Sequence, residues 1–197
     1  MKHNYFSLAH NFFNLTENVI KEMIIQGNRT QVISDVVEGM TDEEEENIFQ
    51  HRIRWSDIKI GIPLMFNFYH GIELFLKGLL QEKDIEVKSS HNLESLYQLV
   101  KSNDEKFTRE IIDLMKKHIH NAHHYNPFFN DNNLSAKDFY IAFKYPVSNT
   151  GQRFNYQKIR GQEKISLEVY KNILQGIIDL KQALINWKMG DQKDSGI

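Results

Sequence analysis

The amino-acid sequence predicts an all-α protein. Apolar residues recur at helical spacing in five segments, and capping residues or helix stops flank most of them. Only a short stretch before the last segment suggests strands. We therefore expect about five helices, with a loop or a small β-hairpin inserted before the last one. The 197 residues suffice for a single domain, expected at residues 1–189, with a frayed C-terminal tail at residues 190–197.

Composition excludes several classes of protein. Hydrophobic residues (41%) and charged residues (25%) occur in the proportions of a folded globular protein. The net charge of -2 provides no general attraction to nucleic acid or membrane, so a polyanion would require a local basic patch. The absence of cysteine excludes disulfides, thiolate metal sites and cysteine catalysis. It also fits a reducing compartment, and we expect a cytoplasmic protein.

Neither a secretory signal nor a membrane span is expected. Residues 1–6 lack an apolar core that ends in small residues, as a secretory signal would have. The longest uncharged apolar-rich run, residues 60–72, contains Asn67 and His70 and is much shorter than the roughly 20 residues that span a bilayer.

The first helix is expected at about residues 5–25. The second begins at Thr41, whose hydroxyl can form a capping box with Glu44, and the acidic run 42–46 suits the positive end of a helix dipole. We interpret this run as a helix start rather than an acidic interaction patch. Because Pro63 interrupts the pattern that follows, residues 41–82 form either one long kinked helix or two helices that meet near residues 61–63.

Three further helices are expected at residues 92–101, 105–124 and 167–188. Asn126 and Pro127 end the second of these, and Ser166 is the expected N-cap of the third.

The segment between the last two helices is rich in Asn, Gly and Ser. Within it, residues 139–146 are either extended or a short helical turn. The aromatic residues 153–156 follow the turn-forming residues 149–151, a pattern that permits a small hairpin.

One carboxylate lies within an apolar helical stripe. Drawn as a helix, the stripe of residues 62–80 covers about 140° of arc, and Glu73 lies inside it with His70 and Lys77 at its border. An unpaired charge there would cost several kcal/mol, so Glu73 must be neutralised or paired. Lys181, in the apolar stripe of the last helix, is long enough to reach a buried acid or to extend its ammonium group to water.

The segment HGIELFLKGLL (residues 70–80), followed after a polar loop by HNLESLY (residues 91–97), resembles the HEPN superfamily of small bacterial helical domains. That superfamily commonly has a glutamate, a lysine four residues later and an apolar run at the end of its second helix, with a histidine opening the next. Glu73, Lys77 and His91 match this pattern. The segment FKYP (residues 143–146) is similar to an aromatic, basic Tyr-Pro element of some HEPN-like proteins.

The resemblance implies an up-and-down helical bundle, a homodimer, and a role in a bacterial toxin-antitoxin or phage-defence system. Implied partners are a cognate antitoxin or a separately encoded nucleotidyltransferase. Ribonuclease members of the superfamily carry an arginine followed, after four to six residues, by a histidine. No arginine of this chain has a histidine at that spacing, and eight residues separate Arg109 from His118. This departure counts against the family's nuclease chemistry.

Two interpretations apply to the polar residues of the resemblance. His70, Glu73, Lys77 and His91 are the candidate catalytic residues, because a carboxylate perturbed by burial can act as an acid or a base. Alternatively they form a bond network that stabilises the fold. We favour the structural role, because HEPN-like proteins without activity share the glutamate–lysine pair.

A second cluster contains four histidines. His120 and His124 lie one helical turn apart with His123 on the same side, a spacing that suggests a metal site. His118 falls on the apolar side of the same helix, so the four rings cannot converge. We therefore expect an exposed polar face, with no metal and no cofactor.

The most basic segment, residues 144–164, is the candidate nucleic-acid site. Five basic residues stand there against one acidic residue, interleaved with aromatic residues, and such a mixture can neutralise phosphates and stack bases. The candidate binding residues are Lys144, Tyr145, Arg153, Tyr156, Lys158 and Arg160. The alternative is a loop whose aromatic side chains pack onto the bundle.

We therefore expect a HEPN-like RNA- or nucleotide-associated binding or regulatory module without catalytic activity. One alternative is a divergent, metal-independent endoribonuclease that uses His70, Glu73 and His91. Another is the partner subunit of a separate nucleotidyltransferase.

Overall fold

A computed structural model describes residues 4–29, 39–87, 90–162 and 164–194, with residues 191–194 as backbone only. The helices are α1 Tyr5–Ile25, α2 Asp42–Ile53, α3 Asp57–Glu82, α4 Leu93–Lys101, α5 Arg109–Ile119, α6 Pro127–Asp131, α7 Phe139–Ala142 and α8 Lys164–Asp194. No β-strand is present within the described ranges, and the predicted all-α class is confirmed.

Helix α3 lies at the centre of the bundle, because its sequence is apolar on almost every side. Between Gly71 and Leu80 only Lys77 is not fully buried. Helix α3 packs along α1 and also against α4, while α8 packs against α1 and α5. A Cβ atom on Gly71 would lie 2.6 Å from the Phe13 ring, and one on Gly78 would lie 2.7 Å from the Phe6 ring. These glycines therefore allow the close approach of α1 to α3.

The region between Thr41 and Glu82 forms two helices, but they do not meet near Pro63. Helix α2 has the predicted capping box between Thr41 and Glu44. The chain then breaks at Ser56, whose backbone is extended and whose hydroxyl donates to the carbonyl of Ile53. Pro63 lies inside α3 and is exposed, so water can bond the carbonyl that the proline leaves without a donor.

Two predicted helices have different boundaries in the structure. The helix expected at 105–124 is shorter, because Phe107 and Thr108 are extended, and α5 spans only Arg109–Ile119. Pro127 does not end this helix, which stops at Ile119, but opens α6 at a position where its missing N–H costs nothing. Helix α8 begins before Ser166, which is therefore not its N-cap, and continues past Lys188 to Asp194.

The segment before α8 contains a short helix and a minimal hairpin. Residues 139–142 form the short helix α7 rather than an extended chain. One antiparallel bridge joins Val147 to Arg153, and Gly151 supplies the positive φ of the turn (+82°). In the part of the chain that the structure describes, no helix has the length and apolar character to cross a membrane.

Candidate functional site

A buried polar network lies at the end of α3, where it meets the start of α4. Glu73 projects from the apolar side of α3 and is 1% exposed. His70 and Lys77 lie one turn before and after it on the same helix, and His91 precedes Asn92, the N-cap of α4. The structure therefore brings the four predicted residues together.

Both oxygens of the Glu73 carboxylate accept hydrogen bonds. Its Oε1 accepts from Lys77 Nζ at 2.6 Å and from His91 Nδ1 at 3.0 Å. Its Oε2 lies 3.3 Å from His70 Nδ1 and 3.2 Å from His91 Nδ1. Because a carboxylate only accepts, the Nδ1 atom of each histidine carries the proton that it donates.

These partners keep Glu73 ionised. Burial alone would raise the pKa of Glu73, but the hydrogen bonds from His70, Lys77 and His91 and the charge of Lys77 outweigh it and lower the pKa to about 2. The network is therefore a paired charge inside the bundle.

His91 connects the buried network to an exposed aromatic surface. Its side chain is 56% exposed, against 23% for His70 and 14% for Lys77. The imidazole stacks on the ring of Tyr140 at 4.6 Å between centroids. No partner of His91 Nε2 is found among the described residues, and His91 is the most exposed side chain of the network, so its imidazole is the ring best placed to contact a ligand.

Lys144 lies next to this stack. Its ammonium group donates to the Tyr140 hydroxyl at 3.1 Å and lies 4.7 Å from the Tyr140 ring centroid and 5.4 Å from that of Tyr145. The hydrogen bond to Tyr140 and the nearby hydroxyl of Tyr145 raise the pKa of Lys144, which stays cationic. We call His91, Tyr140, Lys144 and Tyr145 the His91 surface.

The other residues that were predicted to bind nucleic acid make different kinds of contact in the structure. Tyr156 packs onto Phe128 in a stacked pair and donates to two backbone carbonyls. Lys158 pairs with Asp131 at 3.0 Å, so its charge is compensated. Arg160 donates Nε to the Ile58 carbonyl, whereas Arg153 is exposed and has no side-chain partner among the described residues.

Lys181 does not join the Glu73 network. Its ammonium group pairs with Glu17 at 2.6 Å and also bonds Asn14, so it ties α8 to α1. The lysine therefore reaches a partly buried acid, but a different one.

The histidine cluster does not lie on one helix, because His118 is on α5 whereas His120, His123 and His124 follow the end of that helix. His118 is fully buried, and its Nδ1 bonds the Tyr125 hydroxyl at 2.9 Å, while Nε2 has no partner within the described ranges. Burial, with a smaller effect of the Lys117 charge, lowers the pKa of His118 to about 3. His120 points outward and pairs with Glu94. Across the described ranges, no three histidine or acidic side chains gather closely enough to hold a metal ion.

Sequence reasoning missed a second buried carboxylate. Asp57, at the first turn of α3, is fully buried and accepts from Asn28 Nδ2 at 3.0 Å, from the backbone N–H of Gly161 at 2.7 Å and from the Ser166 hydroxyl. These bonds join the end of α1, the start of α3 and the start of α8. Its sequence position resembles an ordinary first-turn acid, so only the tertiary contacts reveal it.

The fold and the network together define a small helical domain whose central helix carries a buried glutamate paired with a lysine and with the histidine before the next helix. The family model of the HEPN domain matches residues 63–182, which is more than half of the chain. The chain therefore belongs to the HEPN domain family. Comparison with curated proteins and with solved structures gave no significant match.

Proposed function

We propose that this HEPN domain is a non-catalytic RNA- or nucleotide-associated binding module of a bacterial toxin-antitoxin or phage-defence system. The observation that carries the proposal is the position of His91, which is held by Glu73 on its inner side and stacked on Tyr140 at the exposed His91 surface. The glutamate and the histidine of the family pattern therefore hold an exposed ring in place, in addition to their contacts inside the bundle.

The His91 surface has the chemistry that single-stranded RNA requires. The exposed rings of His91, which is backed by Tyr140, and of Tyr145 provide aromatic faces, and Lys144 provides a cation beside them. Bases stack on such faces without strong sequence preference, while the ammonium group neutralises a phosphate. Because His91 and Tyr140 are already stacked, little side-chain freedom is lost on binding.

The state of Glu73 argues against a catalytic role for it. Glu73 is 1% exposed and both of its oxygens already accept hydrogen bonds, so a substrate has little access to the carboxylate. Its lowered pKa of about 2 also makes it a weak base at neutral pH. We assign Glu73 as a positioning residue that fixes the tautomer and orientation of His91.

Replacement of Lys144 tests the binding surface. We expect Lys144→Ala to weaken the binding of a labelled single-stranded RNA severalfold and to reduce the slope of log K against log salt by about one. The matched control is Lys171→Ala, which removes an exposed lysine paired only with Glu168 on α8. Fluorescence anisotropy at several salt concentrations measures both values, and equal affinities of the two variants would contradict the proposal.

A divergent endoribonuclease is the second candidate, because the exposed side chain of His91 and the ammonium group of Lys144 both lie against the Tyr140 ring. In this role His91 would exchange protons with the RNA, while Glu73 and His70 hold it in place. His91→Gln would then abolish RNA cleavage and leave the melting temperature near that of the parent. The control His124→Gln alters an exposed histidine outside the network. Absence of cleavage by the purified parent protein would remove this candidate.

The cellular role and the homodimer rest on membership of the family. Growth after expression of the chain, alone and together with its neighbouring gene, tests the toxin-antitoxin role. Sedimentation of the purified protein tests the homodimer, and a monomer at micromolar concentration would contradict it.

A further inference from the structure

A groove lies at the opposite end of α3 from the Glu73 network. Its walls are Ile58 at the start of α3 and the segment that leads into α8, and its volume is about 470 Å³. Ile58 precedes Glu73 by fifteen residues, which places the groove roughly 22 Å from the network along the helix. We call this site the Arg160 groove, with walls formed by Ile58, Phe154, Asn155, Tyr156, Gln157 and Arg160.

The groove presents a rigid aromatic wall. Tyr156 is stacked on the buried ring of Phe128 (5.2 Å between centroids, 14° between planes), which covers one face of its ring. Phe154 meets Tyr156 edge-on at 6.2 Å. Because these rings are held by the core, a planar ligand ring can stack on the wall without ordering it first.

The polar groups of the groove suit an anion and a hydrogen-bonding ring. Arg160 is positioned through its Nε bond to the Ile58 carbonyl (3.0 Å), and its terminal amino groups have no partner among the described residues. Such a guanidinium binds a phosphate through two parallel hydrogen bonds. The side-chain amide of Gln157 and the Nδ2 atom of Asn155 likewise have no partner in the described part of the chain, and amides both donate to and accept from base edges.

The floor of the groove is held in place by a hydrogen bond to a buried carboxylate. Gly161 lies there with a φ of +82°, and its N–H donates to the buried carboxylate of Asp57. None of the residues that line the groove in the described structure is acidic, and Asp57 is fully buried beneath it with its oxygens engaged. The groove therefore offers a fixed cation to a ligand without an exposed carboxylate to repel it.

Tyr156 links the wall of the groove to the backbone of the segment that carries Tyr145. The hydroxyl of Tyr156 donates to the carbonyls of Ala142 at 2.6 Å and Tyr145 at 3.0 Å. Tyr156 therefore belongs to the wall of the groove and also bonds the backbone of Tyr145, which is part of the His91 surface.

We propose that the Arg160 groove is a binding site for one nucleotide unit, in which the base stacks on Tyr156, amides of Asn155 and Gln157 contact its edge, and Arg160 holds its phosphate. The unit comes either from a free mononucleotide or from an RNA strand that continues onto the His91 surface. The groove has its own residues and does not depend on the function proposed for His91.

Calorimetry with the four 5′-mononucleotides and anisotropy with a labelled ten-nucleotide RNA test this site on the full chain. We expect Arg160→Ala and Gln157→Ala each to weaken binding, with Arg160→Ala the stronger at roughly 10- to 100-fold. The charge-matched control Arg109→Ala removes an exposed guanidinium paired with Asp113 and should leave binding unchanged. Because Gln157 makes no side-chain bond in the described structure, its replacement keeps the test valid if Arg160→Ala unfolds.

The results distinguish a free nucleotide from a nucleotide of an RNA strand, and the Arg160 groove from the His91 surface. Mononucleotide binding that both groove variants weaken supports a free nucleotide, whereas RNA binding that they weaken without any mononucleotide affinity supports a nucleotide of a strand. If Lys144→Ala weakens RNA binding and the groove variants do not, the groove proposal is overturned while the His91 surface stands. If only the groove variants weaken RNA binding and Lys144→Ala leaves it unchanged, the groove stands and the His91 surface is overturned.

Discussion

Replacement of Glu73 by alanine removes the one carboxylate on which Lys77, His70 and His91 converge. Breaking a buried ion pair from one side costs about 3–5 kcal/mol, because the remaining charge stays buried without a partner. Lys77 is 14% exposed and His91 is 56% exposed, so both can turn partly to water, which favours the lower end of that range. The pKa of Glu73 leads to a similar figure. A decrease from 4.5 to about 2 corresponds to roughly 3 kcal/mol.

We therefore expect Glu73→Ala to destabilise the fold by about 3 kcal/mol at pH 7, which lowers the melting temperature of a domain of this size by roughly 6–12 °C. Circular dichroism during heating measures the change. The control Glu168→Ala also removes a glutamate from a helical lysine pair, but Glu168 is 65% exposed and should cost less than about 0.5 kcal/mol. A melting temperature of Glu73→Ala within one degree of the parent would refute the role of the network.

The same network predicts the direction of acid sensitivity. Because the folded-state pKa of Glu73 is lowered, the unfolded chain binds more protons than the folded chain between pH 4.5 and about 2. The stabilisation is therefore complete above pH 4.5 and is lost as the pH falls through 2. The Glu73→Ala variant should lack this component of acid unfolding, and an unchanged difference between parent and variant from pH 5 to pH 2 would contradict it.

Three further predictions concern other parts of the fold. Because the pKa of His118 is lowered in the folded protein, only the unfolded chain binds a proton at this histidine below about pH 6.5. His118→Gln should therefore reduce the stability that is lost between pH 7 and pH 5 by about 2 kcal/mol, as measured by urea titration. An unchanged loss of stability would count against this prediction. Ser166→Ala deprives the buried carboxylate of Asp57 of a donor and should cost about 1–3 kcal/mol by the same assay, against no measurable cost if the bond is unimportant. Thr41→Ala removes the capping box with Glu44 and should reduce amide protection of α2 by about 1 kcal/mol in hydrogen exchange while α3 stays unchanged.

Periodicity and capping chemistry were sufficient to predict most helices. The bounds of α1 and the capping box at Thr41 follow from local patterns, because helical hydrogen bonds join residues only four positions apart. Both alternatives for residues 41–82 centred the interruption on Pro63, whereas the break lies at Ser56, because an exposed proline is tolerated inside α3 and Ser56 turns its hydroxyl to a carbonyl of the preceding helix. Likewise Ser166 resembled an N-cap, yet its hydroxyl serves the distant Asp57.

The candidate sites also differ in how far local sequence patterns could predict them. The position of Glu73 within an apolar stripe, with His70 and Lys77 one turn away, can be worked out from helix geometry because all three lie on α3. The participation of His91 came only from the resemblance, and the stacking of His91 on Tyr140 and the buried carboxylate of Asp57 were not predicted at all.

The sequence by itself therefore determined the helical class, the family and the buried charge of α3, because each depends on residues close together along the chain. Only the tertiary structure decided what surrounds that charge and where a ligand can reach. Lys144 meets Tyr140 and His91 in one place, whereas Arg160 faces a separate groove next to Asp57. These contacts join segments up to more than a hundred residues apart, and their geometry depends on how the helices pack rather than on any local spacing.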